Sequence, residues 1–175
     1  MGTYEDRIYR LTLKLMAQTS LEKVCEVSVK EASRLLGTKH GSIFWWSDGR
    51  LSRIYSNIPK QQQLEPRPKG NVIQVFKDRK PRFVPHASIK RAHPEMSEKI
   101  GSLTLIPLSY AKKPLGVMSL HSDNDKDFLC DKEQTIKLFC SLVTLAIRNV
   151  QLHIMIKTFC VIKSKQSSFF VHSSP

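Results

Sequence analysis

Three observations predict an α+β fold for this chain. Segments near both ends carry apolar side chains at helical spacing. Asp48-Gly49 sits between two aromatic and β-branched runs, the strongest short-range hairpin signal. Two further strand-like runs, 102–108 and 115–121, lie close enough together to pair antiparallel. A length of 175 residues suits a single domain, since domains usually run to roughly 100–200 residues.

The elements follow in order. Residues 5–18 form a helical segment with Ile8, Leu11 and Leu15 on one stripe. Thr19 and Glu22 have capping-box spacing, in which a hydroxyl takes a backbone donor and a carboxylate reaches back. Leu21, Val24, Cys25, Ser28, Ala32, Leu35 and Leu36 then recur at helical spacing, and Gly37 stops the helix. Gly41 to Ser47 and Arg50 to Tyr55 are the hairpin strands, and residues 57–70 form a loop rich in Pro and Gln. Asn71 to Arg79 reads as a short helix with Val72, Val75 and Phe76 inward. Arg82 to Val84 is a short strand held between Pro81 and Pro85. Residues 85–99 are polar and irregular, with one helical turn expected near Pro94 to Lys99. Ser102 to Leu108 and Leu115 to His121 are strands joined by Ser109 to Pro114. The last helix is expected to open at Asp131 and Gln134, again in capping-box spacing, and to run to about Met155. Residues 156–175 show neither period although Phe159, Val161, Ile162, Phe169, Phe170 and Val171 are too apolar for a typical linker. The expected division is therefore a domain over 5–155 and an unassigned tail over 156–175, read as a truncated linker or an artefact.

Composition narrows the function classes. The apolar share is 41% and the charged share 25%, ordinary for a globular protein, so a disordered, collagen-like or disulfide-scaffold chain is disfavoured. The longest uncharged run of the C-terminal helix, Leu138 to Ile147, falls short of the ~20 residues that cross a bilayer. The N-terminus shows no signal-peptide pattern. A cytoplasmic protein without membrane partners is expected. The net charge is +13, with much of the excess in residues 58–100, so either a solvated basic surface or a used anion site is open. Nucleic acid is disfavoured as a partner, because no recognition motif accompanies the charge. The four cysteines at 25, 130, 140 and 160 form no C-x-x-C pair and no metal-ligand spacing. They are read as reduced, structural thiols.

The final helix carries two apolar stripes. Ile136, Phe139, Cys140, Val143, Ile147, Val150 and Ile154 form one, and Leu138, Leu142, Leu145 and Leu152 form another. A surface helix needs one stripe for its own core. The second stripe calls for a second partner: the N-terminal helix, or the same helix of another subunit in a homodimer.

The order helix, hairpin, variable basic segment, two antiparallel strands and long terminal helix resembles the GAF domain. Leu35 to Phe44 is similar to the family's helix end and first strand. Lys80 to Val84, Ile100 to Leu108 and Lys113 to Leu120 are similar to three later strands, and Asp127-Phe128 to the opening of its last helix. The resemblance covers about residues 5–153. It implies a GAF-like central antiparallel sheet of five to six strands, long terminal helices on one face, and a ligand pocket under the variable segment on the other.

Alternation locates that pocket, because residues two apart on a strand share a face. If Gly116, Met118 and Leu120 pack under the helices, then Ser119 and His121 point to the other side. The candidate ligand-binding residues are Phe44, Trp46, Phe83, His86, His93, Met96, Leu103, Leu105, Ser119 and His121. They mix apolar walls with a few polar groups, as small-molecule sites do. The pigment-binding members also place a pocket histidine at the position that His121 matches. Pigment attachment through a thiol is disfavoured, because residues 58–100 contain no cysteine. The family's methionine sulfoxide reductase arrangement of pocket cysteines is not matched either. His93 precedes Pro94, an awkward position for a haem ligand. No cofactor or metal is assigned and no catalytic residue is expected.

The resemblance thus implies a non-catalytic sensory or regulatory domain, as in bacterial signal transduction and two-component systems. It would bind an unidentified small molecule and signal through a helical dimer interface to a partner such as a sensor kinase. The alternative is a ligand-free dimerisation or docking module.

Overall fold

The computed structural model describes residues 4–58, 65–86, 101–123 and 129–171. Helix α1 spans Tyr4–Met16 and α2 Leu21–Leu36; strands β1 and β2 span His40–Ser47 and Arg50–Ser56. Then come α3 (Asn71–Asp78), β3 (Arg82–Val84), β4 (Ser102–Tyr110), β5 (Lys113–Ser122) and α4 (Leu129–Val171). The five strands form one sheet in the order β2-β1-β5-β4-β3, and every neighbouring pair is antiparallel. The expected α+β class and antiparallel sheet are what the fold shows.

Local chemistry sets the boundaries. Ser20, rather than Thr19, caps α2: its hydroxyl accepts from the Lys23 amide at 3.3 Å. Gly37 ends that helix in the left-handed conformation, φ 70°, which costs glycine nothing. Asp48 (φ 51°) and Gly49 (φ 77°) form the hairpin turn, both positive as a two-residue turn with the strands' twist requires. The β4–β5 connection is tighter than expected. Tyr110 pairs with Lys113, leaving only Ala111 (φ 47°) and Lys112 (φ 64°) to turn the chain. Neither residue carries a turn signature, which is why the sequence reads as a six-residue loop. Arg79 donates to the Lys112 carbonyl at 3.1 Å and braces the turn.

The last helix departs most from expectation. It begins at Leu129, so Asp131 lies inside the helix and does not cap it, and it continues through residues 156–171, which the sequence leaves unassigned. Apolar residues fall on more than one face there, so no single stripe announces the helix. Within Gln134–Lys163 the most apolar 18-residue window has a mean hydropathy of 1.4, and the stretch is long and apolar enough to cross a membrane by length and composition. However, 39% of its most apolar part is buried inside the domain.

The sheet separates two cores. On one face, Ile43, Trp45, Ile106, Met118 and Leu120 pack against Leu15 of α1, Val24, Cys25 and Val29 of α2, and Phe139, Val143 and Ile147 of α4. Each fully buried Val or Leu of this kind contributes roughly 1.5–3 kcal/mol. On the other face, a smaller cluster joins Phe44, Leu51, Val84, Leu105 and Val117 to Val75 of α3. Gly116 is what brings β1 and β5 together here. A Cβ at that position would run into the Phe44 carbonyl and would lie 2.9 Å from the Trp45 ring.

Gly116→Ala is expected to lower stability by about 2 kcal/mol or more, the scale of overpacking in a tight core, measurable as a lower denaturant midpoint. Replacing Ala111-Lys112 by Asn-Gly puts the two residues that best tolerate positive φ at these left-handed positions and is expected to raise stability by about 1 kcal/mol, seen as a higher midpoint with an unchanged denaturant slope.

Candidate functional site

The face away from the long helices divides into an apolar half and a polar half. The apolar half is Phe44, Leu105 and Val117, covered by Val75 with Val72, Ile73 and Phe76 against its edge. Trp46 stands at the rim, stacked on Phe76 with ring centroids 5.2 Å apart and planes 16° from parallel.

The polar half is built by register. Ser42 on β1 pairs with Ser56 on β2 and with Ser119 on β5, and Ser119 pairs with Leu105 on β4. One row over, His121 pairs with His40 on β1 and Leu103 on β4. Ser42 donates its hydroxyl to Ser56 at 3.0 Å. The Ser119 hydroxyl lies 3.2 Å from His121 Nε2. Ser42, Ser56, Ser119 and His121 are all buried. His121 Nδ1 has no hydrogen-bond partner among the described residues. Arg53 crosses the same face with its guanidinium 4.7 Å from the centre of the Phe44 ring, in the range of a cation–π contact.

Burial, then the charges of Arg53 and His40, push the His121 imidazole from 6.5 down to about 3. It is therefore neutral at physiological pH, with one ring nitrogen donating and the other accepting. Such a ring beside three serine hydroxyls can hydrogen-bond a polar ligand atom of either kind. Cys25 and Cys140 lie in the opposite core, where burial pushes both thiols up to about 12. The reading of these two cysteines as structural thiols fits that placement, whereas Cys160 is exposed.

Of the candidate residues, the structure brings Phe44, Leu103, Leu105, Ser119 and His121 together on this face, with Trp46 at its edge. Phe83 is not among them. It pairs with Thr104, which faces the long helices alongside Leu120, so the strand's alternation turns Phe83 to the opposite side from Val84 and Leu105. His86 is half-buried just after β3. His93 and Met96, with the turn expected near Pro94 to Lys99, lie outside the described residues. Alternation along β1 puts Ser42 on the same face as Phe44 and Trp46, yet it is not among the candidates, and sequence reasoning missed Ser56, His40 and Arg53 altogether. Counting back from the Asp48-Gly49 turn finds Arg53 opposite Phe44. A bulge beyond Phe44 then shifts the register and brings Ser56, rather than Tyr55, opposite Ser42.

Two clefts open elsewhere. One of about 400 Å³ lies between α2 and β2, lined by Lys30, Arg34, Lys39 and Tyr55 among others. Another of about 310 Å³ runs between α4 and β4, beside Ile106, Ile136 and Cys140.

The family model of the GAF domain matches residues 20–147. No curated protein matches the chain in sequence. Among solved structures, the chain is similar to the GAF domain of an Acinetobacter phosphoenolpyruvate-protein phosphotransferase, at 16% identity and TM-score 0.69, over 87% of this chain and 97% of that one. It is similar to the GAF domain of a Coxiella burnetii phosphoenolpyruvate-protein phosphotransferase, at 18% identity and TM-score 0.69, over 88% and 95%. A third is the GAF domain of a Bacillus halodurans two-component sensor histidine kinase, at 16% identity and TM-score 0.63, over 78% and 99%. At these identities the likeness is one of fold.

Because the His121 pKa is lower folded than unfolded, the unfolded chain takes up a proton first as pH falls. Stability from this group is therefore full above about pH 6.5 and is lost on going down towards pH 3. His121→Gln is expected to flatten the dependence of the unfolding free energy on pH between these limits, by an amount on the order of a few kcal/mol. Urea titrations at stepped pH check this.

Proposed function

The chain belongs to the GAF domain family, and we propose that it is a non-catalytic sensory domain. It binds a small molecule over the polar half of the sheet and signals through a helical dimer interface on α4. The observation that carries the reading is the buried row of Ser42, Ser56, Ser119 and His121, with His121 Nδ1 lacking a partner among the described residues. A buried polar group without a partner is costly, and a ligand hydrogen bond removes that cost. The domain would work in the cytoplasm, coupled to a signalling partner such as a sensor kinase, the kind of protein in which one of the similar structures occurs.

The route from ligand to seam is short. Ser119 and His121 alternate along β5 with Met118 and Leu120, which pack in the same core as Val143 and Ile147 of α4. A ligand shifts the seam only if it binds one arrangement of β5 and α4 more tightly than another.

A second reading is a ligand-free dimerisation or docking module. Two facts favour it: α3 already covers the apolar half of the face, and the two clefts described above are elsewhere.

Thermal-shift screening of the purified protein against nucleotides, nitrate, haem and amino acids separates the two. The sensory reading expects a stabiliser worth about 2.7 kcal/mol at a hundredfold excess over its dissociation constant, with the shift abolished by Ser119→Ala. The docking reading expects no shift from any compound and no effect of Ser119→Ala, while Leu145→Asp dissociates the dimer.

A further inference from the structure

The geometry points to a second binding site, on the helix side of the sheet. The cleft between α4 and β4 takes a small carboxylic acid with an apolar tail, the carboxylate held by Arg79, Lys137 and Ser109 and the tail by Ile106, Ile136 and Cys140. This site lies across the sheet from the polar row of His121 and is independent of any ligand there.

Unequal strand lengths open the cleft. Strand β4 runs nine residues and β3 only three, and their pairing stops at Arg82 with Leu105. From Ile106 to Tyr110, β4 is paired on one side only among the described residues, by β5. Pro81 stands where β3 would continue, and a proline has no N–H with which to extend the ladder. Helix α4 passes over this uncovered edge at Ile136 and Cys140, which share a core with Ile106. The space left has a volume of about 310 Å³, at the small end of the roughly 300–1,000 Å³ of ligand pockets.

The lining has an apolar floor and a cationic rim. Ile106, Ile136 and Cys140 are 3%, 2% and 4% exposed. Burial keeps the Cys140 thiol protonated at neutral pH, so the floor carries no charge that would repel an anion. At the rim, Arg79 at the end of α3 and Lys137 on α4 are exposed, and no Asp or Glu is among the described residues that line the cleft. The Arg79 guanidinium donates to the Lys112 carbonyl at 3.1 Å, which sets it at the turn end of β4, close to Ser109 in the chain. A guanidinium has five N–H donors, so this bond leaves others for a carboxylate. The Ser109 hydroxyl is buried without a hydrogen-bond partner among the described residues, a costly state. A carboxylate accepts from that hydroxyl and from both cations, and bonds of this charge-assisted kind are the strong ones.

Other occupants fit less well. A cation would be repelled by Arg79 and Lys137. A neutral hydrocarbon would leave the Ser109 hydroxyl as it is and make no use of the rim. A nucleotide would offer its phosphates to the cations, but would press a polar sugar and base against isoleucine and proline walls. An acid seated here touches α4 and β4 at once. It biases how the first turns of α4 lie on the sheet by as much as its affinity differs between their arrangements.

The test titrates the full chain with octanoate and with phenylacetate, by calorimetry and by NMR of isoleucine δ1 methyls. At least one of the two acids is expected to bind saturably and to shift the Ile106 and Ile136 methyls. Ile73, packed in the other core, is expected to stay unmoved. Acetate, which lacks the tail, and octan-1-ol, which lacks the charge, are each expected to bind at least about tenfold more weakly. Lys137→Glu, a change at an exposed position of α4, is expected to weaken the bound acid by about tenfold or more with the thermal midpoint unchanged. Saturable binding of neither acid overturns the site. Octan-1-ol that binds as tightly as octanoate, or a Lys137→Glu protein with unchanged affinity, overturns the assignment to an acid. An acid that moves Ile73 and loses affinity in Ser119→Ala sits on the polar face instead, which overturns this site and supports the sensory reading.

Discussion

The alternation of side chains along β5 is the constraint on which the rest of the structure depends. This strand lies in the middle of the sheet, paired on both sides by β1 and β4. Met118 and Leu120 are fully buried on the helix side, while Val117, Ser119 and His121 face the other way. A shift of one residue would exchange the two sets, sending a histidine and a serine into the apolar core built on Val24, Val29, Val143 and Ile147. The close approach at Gly116, under the Trp45 ring and against the Phe44 carbonyl, opposes such a shift.

From that segregation come two faces of different character. The helix face is an apolar core of the kind that any α+β domain needs, and it absorbs Cys25 and Cys140 as small hydrophobes. The opposite face is only half apolar. Where α3 covers Phe44, Leu105 and Val117, it behaves as a second core. Beyond that cover, the serines and His121 remain buried and polar, an arrangement that hydrophobic packing alone would not select. That cost is what ties the fold to the proposed role. The same strand that holds the polar row also backs the core under α4, so binding on one side and helix packing on the other share a rigid element.

Much of this was legible in the sequence, for specific reasons. The helices α1 and α2, the Asp48-Gly49 hairpin and the strands β4 and β5 each have a strong local signal, and together they carried the resemblance to the family. The two faces of β1, β4 and β5 followed from period two. What escaped depended on non-local or unsigned chemistry. The Ala111-Lys112 turn uses residues with no preference for positive φ, so nothing local marks it. Ser56 reaches the site only because a bulge shifts the β1–β2 register. Phe83 was placed on the wrong face for a pocket because a three-residue strand has too little alternation to orient it without its partner β4. The helical continuation through 156–171 was hidden by apolar residues spread around the helix, a pattern that fits no single buried stripe.

Nitrogen-15 NMR of the histidine side chains, followed from pH 7 to pH 3, tests the central claim most directly. The account predicts that His121 keeps the shifts of a neutral ring, with one protonated and one bare nitrogen, down to about pH 3 while the fold persists. A His121 ring that titrates near 6.5, with both nitrogens moving together, would mean that it is solvated rather than buried, and would contradict the polar site on which the sensory reading stands.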